Sequence, residues 1–214
     1  EHSISLLGVH IDSKLSFSEH ISNVCKKSSQ KVGALMRLRN LIPTSAKLQL
    51  FKAAILPHLT YCSTVWHFCK ASDSRKLERV QERGLRAVYC NWNNSYSELL
   101  NWANLTTLKN GRLQKIVTIM YRVKYGLCPK YISDLFIFNN NEYNLRVKEF
   151  VIPRINSTSY GKHSVRYFGP LLWSKLDASL RNAPSVKTFK NEIRKRDLEQ
   201  LLDACGTNCR LCTS

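Results

Sequence analysis

The stretch SEHISNVCKKSSQKVGALMRLRN, residues 18–40, decides the fold class. Ile21, Cys25, Ser28, Val32 and Leu35 step by four and three residues, so they fall on one side of an α-helix. Lys26, Lys27, Lys31 and Arg37 lie off that seam. Ser16 or Ser18 is placed to cap the start, and the pattern predicts a helix running to about Asn40. A long amphipathic helix needs partners to cover its apolar stripe. Pro43-Thr44 breaks the chain and caps a second helix through Phe51 and Ile55, with Pro57 kinking it. After a turn at Ala71-Ser72-Asp73, a third helix points Leu77, Val80, Gly84, Leu85 and Val88 inward, while Arg75, Arg79, Arg83 and Arg86 line another side.

Upstream, Ile4 to Ile11 reads as one short strand, with Gly8 permitting close backbone approach. Downstream, Asn91-Trp92-Asn93-Asn94-Ser95 is the best internal boundary. Ser97–Ala103 and Thr106–Tyr125 are predicted helices, the second ending at Gly126 ahead of Pro129. Asn139-Asn140-Asn141 is predicted to be a loop. Phe150-Val151-Ile152 and Ser164–Tyr167 are expected as strands around a Gly161 turn, followed by a short helix carrying Trp173. A last helix is expected from Val186 to about Leu202. The expected fold is mainly α, with an α+β C-terminal part of helices and a hairpin.

The 214 residues carry 33 Lys and Arg against 15 Asp and Glu, a formal net charge of +18. A compact body that positive repels itself unless it meets a polyanion, and phosphate backbones are the commonest one in cells. The cations are also segregated. No acidic residue falls between Glu19 and Asp73, where Lys26, Lys27, Lys31, Arg37, Arg39, Lys47, Lys52 and Lys70 all lie. Two further acid-free stretches run between Glu98 and Asp134 and between Glu149 and Asp177. Ordinary helices mix signs because opposite charges four residues apart support the helix, so an external anion is the economical explanation. No apolar run is long enough for a spanning helix. The first residues lack the basic segment and cleavage pattern of a signal peptide, and the opening without Met reads as a piece of something longer. Eight cysteines are too scattered for a disulfide scaffold, which fits a reducing, intracellular location, nuclear and cytoplasmic.

Leu7-Gly8-Val9-His10-Ile11-Asp12, then Leu15-Ser16-Phe17 and the helix through Cys25-Lys26-Lys27, resembles the segment just past the polymerase active site of jockey-like non-LTR retrotransposon reverse transcriptases. Ile55-Leu56-Pro57-His58-Leu59-Thr60-Tyr61-Cys62 with Val65-Trp66, and Lys76-Leu77-Glu78-Arg79-Val80-Gln81 with Arg86-Ala87, resemble the same family. So do Tyr160-Gly161-Lys162-His163-Ser164, Gly169-Pro170-Leu171-Leu172-Trp173 and Ala183-Pro184-Ser185 with Phe189-Lys190. Thr60 departs from the acid the family pattern has there, and His67 from a glycine. The resemblance implies an end-of-palm, primer-grip-like strand over 1–15, a helical thumb-like domain over 16–91, a C-terminal α+β region over 92–200 and a Cys-containing tail over 201–214.

It further implies that RNA and RNA–DNA hybrid are the partners, beside upstream palm and fingers domains. Lys26, Lys27, Lys31, Arg37, Arg39, Lys47, Lys52, Arg75, Arg79 and Arg83, with Lys162 and Arg166 downstream, are the expected contacts to the sugar–phosphate backbone. Such contacts position a duplex without reading its sequence. A polymerase needs paired carboxylates to hold two divalent metals about 4 Å apart. Asp12, Asp73, Asp134, Asp177, Asp197 and Asp203 include no adjacent pair, so the metal-binding motif is expected upstream of Glu1. The chain is therefore expected to be no enzyme and to carry no cofactor of its own. The alternative is a host-retained module for protein contacts or zinc.

Cys205, Cys209 and Cys212 are the candidate zinc ligands. Tetrahedral zinc takes four ligands and no Cys or His follows, so a tail with free thiols is the plainer reading. His58, Cys62, His67 and Cys69 form a second Cys/His group, for which packing is the plainer reading. Tyr160, Tyr167, Phe168 and Trp173 interleave with Lys162, His163 and Arg166. That pattern suits base stacking, but a small aromatic core is favoured.

Overall fold

The computed structural model describes residues 3–139, 149–155 and 161–203. The described residues are mainly helical with one small hairpin, and the chain divides into two compact units, Glu1–Arg112 and Leu113–Ser214.

The first unit opens with a correction. Residues 4–11 are not one strand but a hairpin. Strands β1 (Ser3–Leu6) and β2 (Val9–Asp12) pair antiparallel, with Leu6 opposite Val9. Leu7 and Gly8 turn the chain with φ of 48° and 82°, the left-handed pair that two-residue hairpin loops favour because it matches the strand twist. A Cβ on Gly8 would meet only the Tyr61 ring, at 3.9 Å, so this glycine serves the turn and not a close backbone approach.

Helix α1 (Ser18–Arg37) follows. Neither Ser16 nor Ser18 caps it; Phe17, in the left-handed region, occupies the cap position. The Asp12 carboxylate organises this entry, accepting the amides of Lys14, Ser16 and Phe17 and the Ser16 hydroxyl. Burial pushes the Asp12 pKa up, but the Ser16 and Phe17 amides pull harder the other way and hold the carboxyl below its ordinary value. The predicted seam is the observed one: Ile21, Ser28, Val32 and Leu35 are buried and Cys25 is half-buried. The helix stops short of Asn40, where Leu41 and Ile42 donate back to the Leu38 carbonyl.

Helix α2 (Thr44–Leu50) runs through a π turn, Phe51–Ile55, into α3 (Leu56–Thr60). Pro57 has no amide to donate and its ring crowds the preceding turn. The helix widens by one residue just before it, the Leu56 amide reaching the Phe51 carbonyl five residues back.

Helix α4 (Ala71–Tyr89) absorbs the segment expected as a turn. Asp73 belongs to its first turn, where the helix dipole favours a carboxylate. It is buried and accepts both the Ser18 hydroxyl (2.6 Å) and the Lys76 ammonium (2.7 Å). Leu77, Val80, Gly84, Leu85 and Val88 all face the core. Helix α5 (Tyr96–Ala103) begins with a capping box, Ser95 and Glu98 each satisfying the other's amide.

Helix α6 (Leu108–Lys124) begins in the first unit and continues into the second. It ends as predicted at Gly126, φ 65°, where the Leu127 amide reaches the Arg122 carbonyl. Short helices α7 (Lys130–Ser133), α8 (Val165–Ser174), α9 (Ala178–Arg181), α10 (Val186–Arg194) and α11 (Leu198–Asp203) complete the second unit.

The strand expected at Ser164–Tyr167 is helical. The Ser164 side chain accepts the Tyr167 amide and caps α8. Phe150 makes only an isolated bridge with Phe138. The long final helix is two, because the Asp197 carboxylate accepts the Glu199 amide and starts α11 afresh. Phe168 and Trp173 are buried and Tyr167 is half-buried, and the Trp173 ring packs against Phe150 and Phe189. Tyr160 lies outside the described residues, as do residues 140 and 141 of the expected Asn loop. Among the described residues no helix is long and apolar enough to cross a membrane.

Candidate nucleic-acid interface

The seams of α1 and α4 turn the remaining residues of both helices away from the core. Lys26, Lys27 and Arg37 are exposed on α1, and Arg75, Arg79 and Arg83 are exposed on α4. The three arginines are four residues apart, a step of about 6 Å along the axis. Arg39 and Lys52 are exposed too. Among the described residues none of these eight forms an ion pair. The reason is that, apart from the exposed Glu19 at the start of α1, the described carboxylates of the first unit are engaged elsewhere. Asp12 holds the entry to α1, Asp73 binds Lys76 and Ser18, and Glu82 pairs with Arg86 at 2.7 Å. Glu78 accepts the Tyr96 hydroxyl and the Lys109 amide, and Glu98 belongs to its capping box. Arg86 therefore departs from the stripe it was read into: its guanidinium is bound to Glu82 and to the Trp92 carbonyl.

Two other predicted contacts are placed differently. Lys47 is 3% exposed, and its ammonium donates to the Arg39 carbonyl (3.1 Å) and Cys90 Sγ (3.2 Å). It is a buried structural post, set by its position on the covered side of α2. Lys31 is half-buried and donates to the Ala54 carbonyl, with its ammonium also against His58 Nε2. In the second unit Lys162 is half-buried and Arg166 exposed. Helix α10 adds cations that the sequence reading passed over. Phe189 and Ile193 face inward and leave Lys187 and Arg194 exposed, a pattern already visible in the spacing after Ser185.

The hairpin tip, α1 and α3 enclose a cleft of about 420 Å³. Its polar lining is His10, His20, Asn23, Lys27, His58 and Tyr61, and the Tyr61 hydroxyl donates to the Leu7 carbonyl at 2.9 Å. His20 is buried, and burial, reinforced by the His10 and Lys27 charges, holds its pKa below the ordinary histidine value. The resemblance offered residues 1–15 as a primer-grip-like strand but gave no signal that His58 and Asn23 would line a cleft beside it, since their meeting is a tertiary event.

No group of three or more His, Cys, Asp or Glu among the described residues could hold a metal ion. His58, Cys62, His67 and Cys69 thus form no such site. Cys205, Cys209 and Cys212 lie outside the described residues. His67 is instead a half-buried neutral ring: loss of solvent around it, with Arg112 and Lys109 nearby, pushes its pKa down to about 3 from the ordinary 6.5. Above pH 6.5 it is neutral folded and unfolded alike. Below that the unfolded chain takes up a proton that the folded ring refuses, so stability falls by up to about 1.4 kcal/mol per pH unit toward pH 3. Denaturant midpoints between pH 7 and 4 should show this slope, and His67→Phe should flatten it.

Comparison with known proteins gives three relatives. The chain is 27% identical over 90 residues to the probable RNA-directed DNA polymerase from transposon X-element of Drosophila melanogaster, covering 40% of this chain and 10% of that protein. It is 31% identical over 85 residues to the RNA-directed DNA polymerase from mobile element jockey of the same organism, covering 38% and 9%. An uncharacterised protein of Caenorhabditis elegans is 27% identical over 127 residues, 56% of this chain and 62% of its own length. No family model and no solved structure matches the chain. The expectation that the chain is no enzyme is corrected by these relatives, since both mobile-element proteins are named as polymerases, which are enzymes. The matches span about a tenth of the polymerases they align to. This chain thus carries a region distantly related to the RNA-directed DNA polymerases of mobile elements.

Proposed function

We propose that the chain is the primer-grip, thumb and C-terminal region of a non-LTR retrotransposon RNA-directed DNA polymerase, and that its basic helices hold RNA and RNA–DNA hybrid by the sugar–phosphate backbone. On this reading the hairpin within 1–15 adjoins the palm and residues 16–91 form the thumb, with palm and fingers as partners. One observation carries it: among the described residues Lys26, Lys27, Arg37, Arg75, Arg79 and Arg83 stand exposed without ion pairs, while Asp12, Asp73, Glu78, Glu82 and Glu98 are spent on internal bonds. Unscreened cations in rows cost the folded state self-repulsion, which a phosphate chain carrying a charge every ~3.4 Å per strand relieves.

Contacts of this kind release counterions, so log affinity falls linearly with log salt. In an anisotropy titration of a hybrid duplex, Arg75→Gln, Arg79→Gln and Arg83→Gln should each weaken binding modestly and lower the salt slope by about one. The effect should not depend on the duplex sequence. Binding that ignores salt, or a triple variant with the native slope, would refute the reading.

A further inference from the structure

A second cleft lies at the C-terminal end of α4, beside Arg39. It measures about 270 Å³ and is lined by Met36, Ala87 and Cys90 together with Arg39, Asn40 and Trp92. Trp92 is 54% exposed, a large aromatic surface left in water. Its backbone is nonetheless fixed. Arg86, itself held by Glu82, donates to the Trp92 carbonyl at 2.8 Å, and the Asn91 side chain accepts the amides of Asn93 and Asn94. Across the cleft, buried Lys47 pins the Arg39 carbonyl and Cys90 Sγ. The Arg39 guanidinium is left without an ion pair among the described residues.

We propose that this cleft seats one unpaired nucleobase of the strand flanking a bound hybrid. The base stacks on the Trp92 indole, Arg39 meets the adjoining phosphate, and the Asn40 amide donates to and accepts from the base edge. The volume suits a single ring system and is below the range of pockets that hold whole small-molecule ligands. An acidic peptide would satisfy the guanidinium and leave the indole bare. The inference rests on the nucleic-acid reading above and adds to it a preference for unpaired ends.

The full chain is titrated, at matched ionic strength, with a blunt RNA–DNA hybrid, the same hybrid carrying a short unpaired extension, and the extension as a free oligonucleotide. The extension should tighten binding about ten-fold, the scale of one base stacked on an aromatic ring. Trp92→Ala should abolish that gain and Trp92→Phe keep part of it. Trp102→Ala, at an exposed indole packed edge-on to Tyr89, should keep all of it. A native chain that gains nothing from the extension, or a gain that survives Trp92→Ala, overturns the proposal. So does complete loss of the gain to a competing poly-glutamate peptide, which would mark the cleft as a peptide site. The free oligonucleotide separates the two readings. If blunt hybrid is not bound but the oligonucleotide binds in a Trp92-dependent way, the basic-helix reading falls and this one stands.

Discussion

Replacing Phe51 with alanine should destabilise the first unit by about 3–5 kcal/mol, the range for removing a fully buried aromatic ring. Phe51 has no exposed surface and sits in the π turn with its ring against α4. The partner position is Gly84, where a Cβ would come within 2.3 Å of Phe51 Cε2 and 2.9 Å of its Cδ2. Gly84→Ala would gain about 1 kcal/mol of helix propensity, but the clash with an enclosed ring exceeds it, and overpacking of this kind costs about 1–3 kcal/mol. The net change should be a loss. The two residues are coupled, so a double-mutant cycle checks the account. In a Phe51→Leu background the Gly84→Ala penalty should shrink toward zero or change sign. Urea unfolding of the four proteins measures this; a penalty unchanged by Phe51→Leu would show that the ring is not what requires the glycine.

The second large effect is expected at Glu149. Its Oε2 accepts the Trp173 indole N–H at 2.8 Å, and its Oε1 meets Lys124 Nζ at 3.2 Å and the Arg181 guanidinium at 3.5 Å. Lys124 also donates to the Arg181 carbonyl and Asn182 Oδ1. Glu149→Ala takes the acceptor from the indole N–H and the counter-charge from Lys124 and Arg181 in a partly covered site, leaving Lys124 only neutral oxygens. Breaking a fully buried pair costs about 3–5 kcal/mol; these side chains are 19–27% exposed, so about 2–3 kcal/mol is expected after allowing for solvent screening. Glu149→Gln keeps an acceptor for Trp173 and should lose roughly half as much. Unfolding followed by circular dichroism is the readout, and equal losses in the two variants would rule out the ionic part of the explanation.

The helical seams were legible because burial on a helix follows a period the sequence carries by itself. Ile21 to Leu35 and Leu77 to Val88 turned out buried as the spacing required. Gly126 likewise announced the end of α6. The misreadings cluster where a short stretch suits two conformations and a remote or local polar group chooses between them. Residues 4–11 have strand character throughout, and nothing in that character says that Leu7 will adopt a positive φ beside Gly8. Ser164–Tyr167 has the composition of a strand, yet one hydroxyl accepting one amide starts a helix there.

The candidate interface divides the same way. The sequence by itself determined the charge: the acid-free stretches and the four-residue spacing of Arg75, Arg79 and Arg83 are properties of the chain before it folds. Only the tertiary structure decided which cations remain available. Lys47 and Arg86 look like their neighbours in sequence, but folding turns one to the covered side of α2 and gives the other to Glu82. Nor could the sequence say that Arg39 and Trp92, fifty-three positions apart, would line one cleft. Charge is additive along a chain, whereas exposure and pairing depend on what packs against each residue.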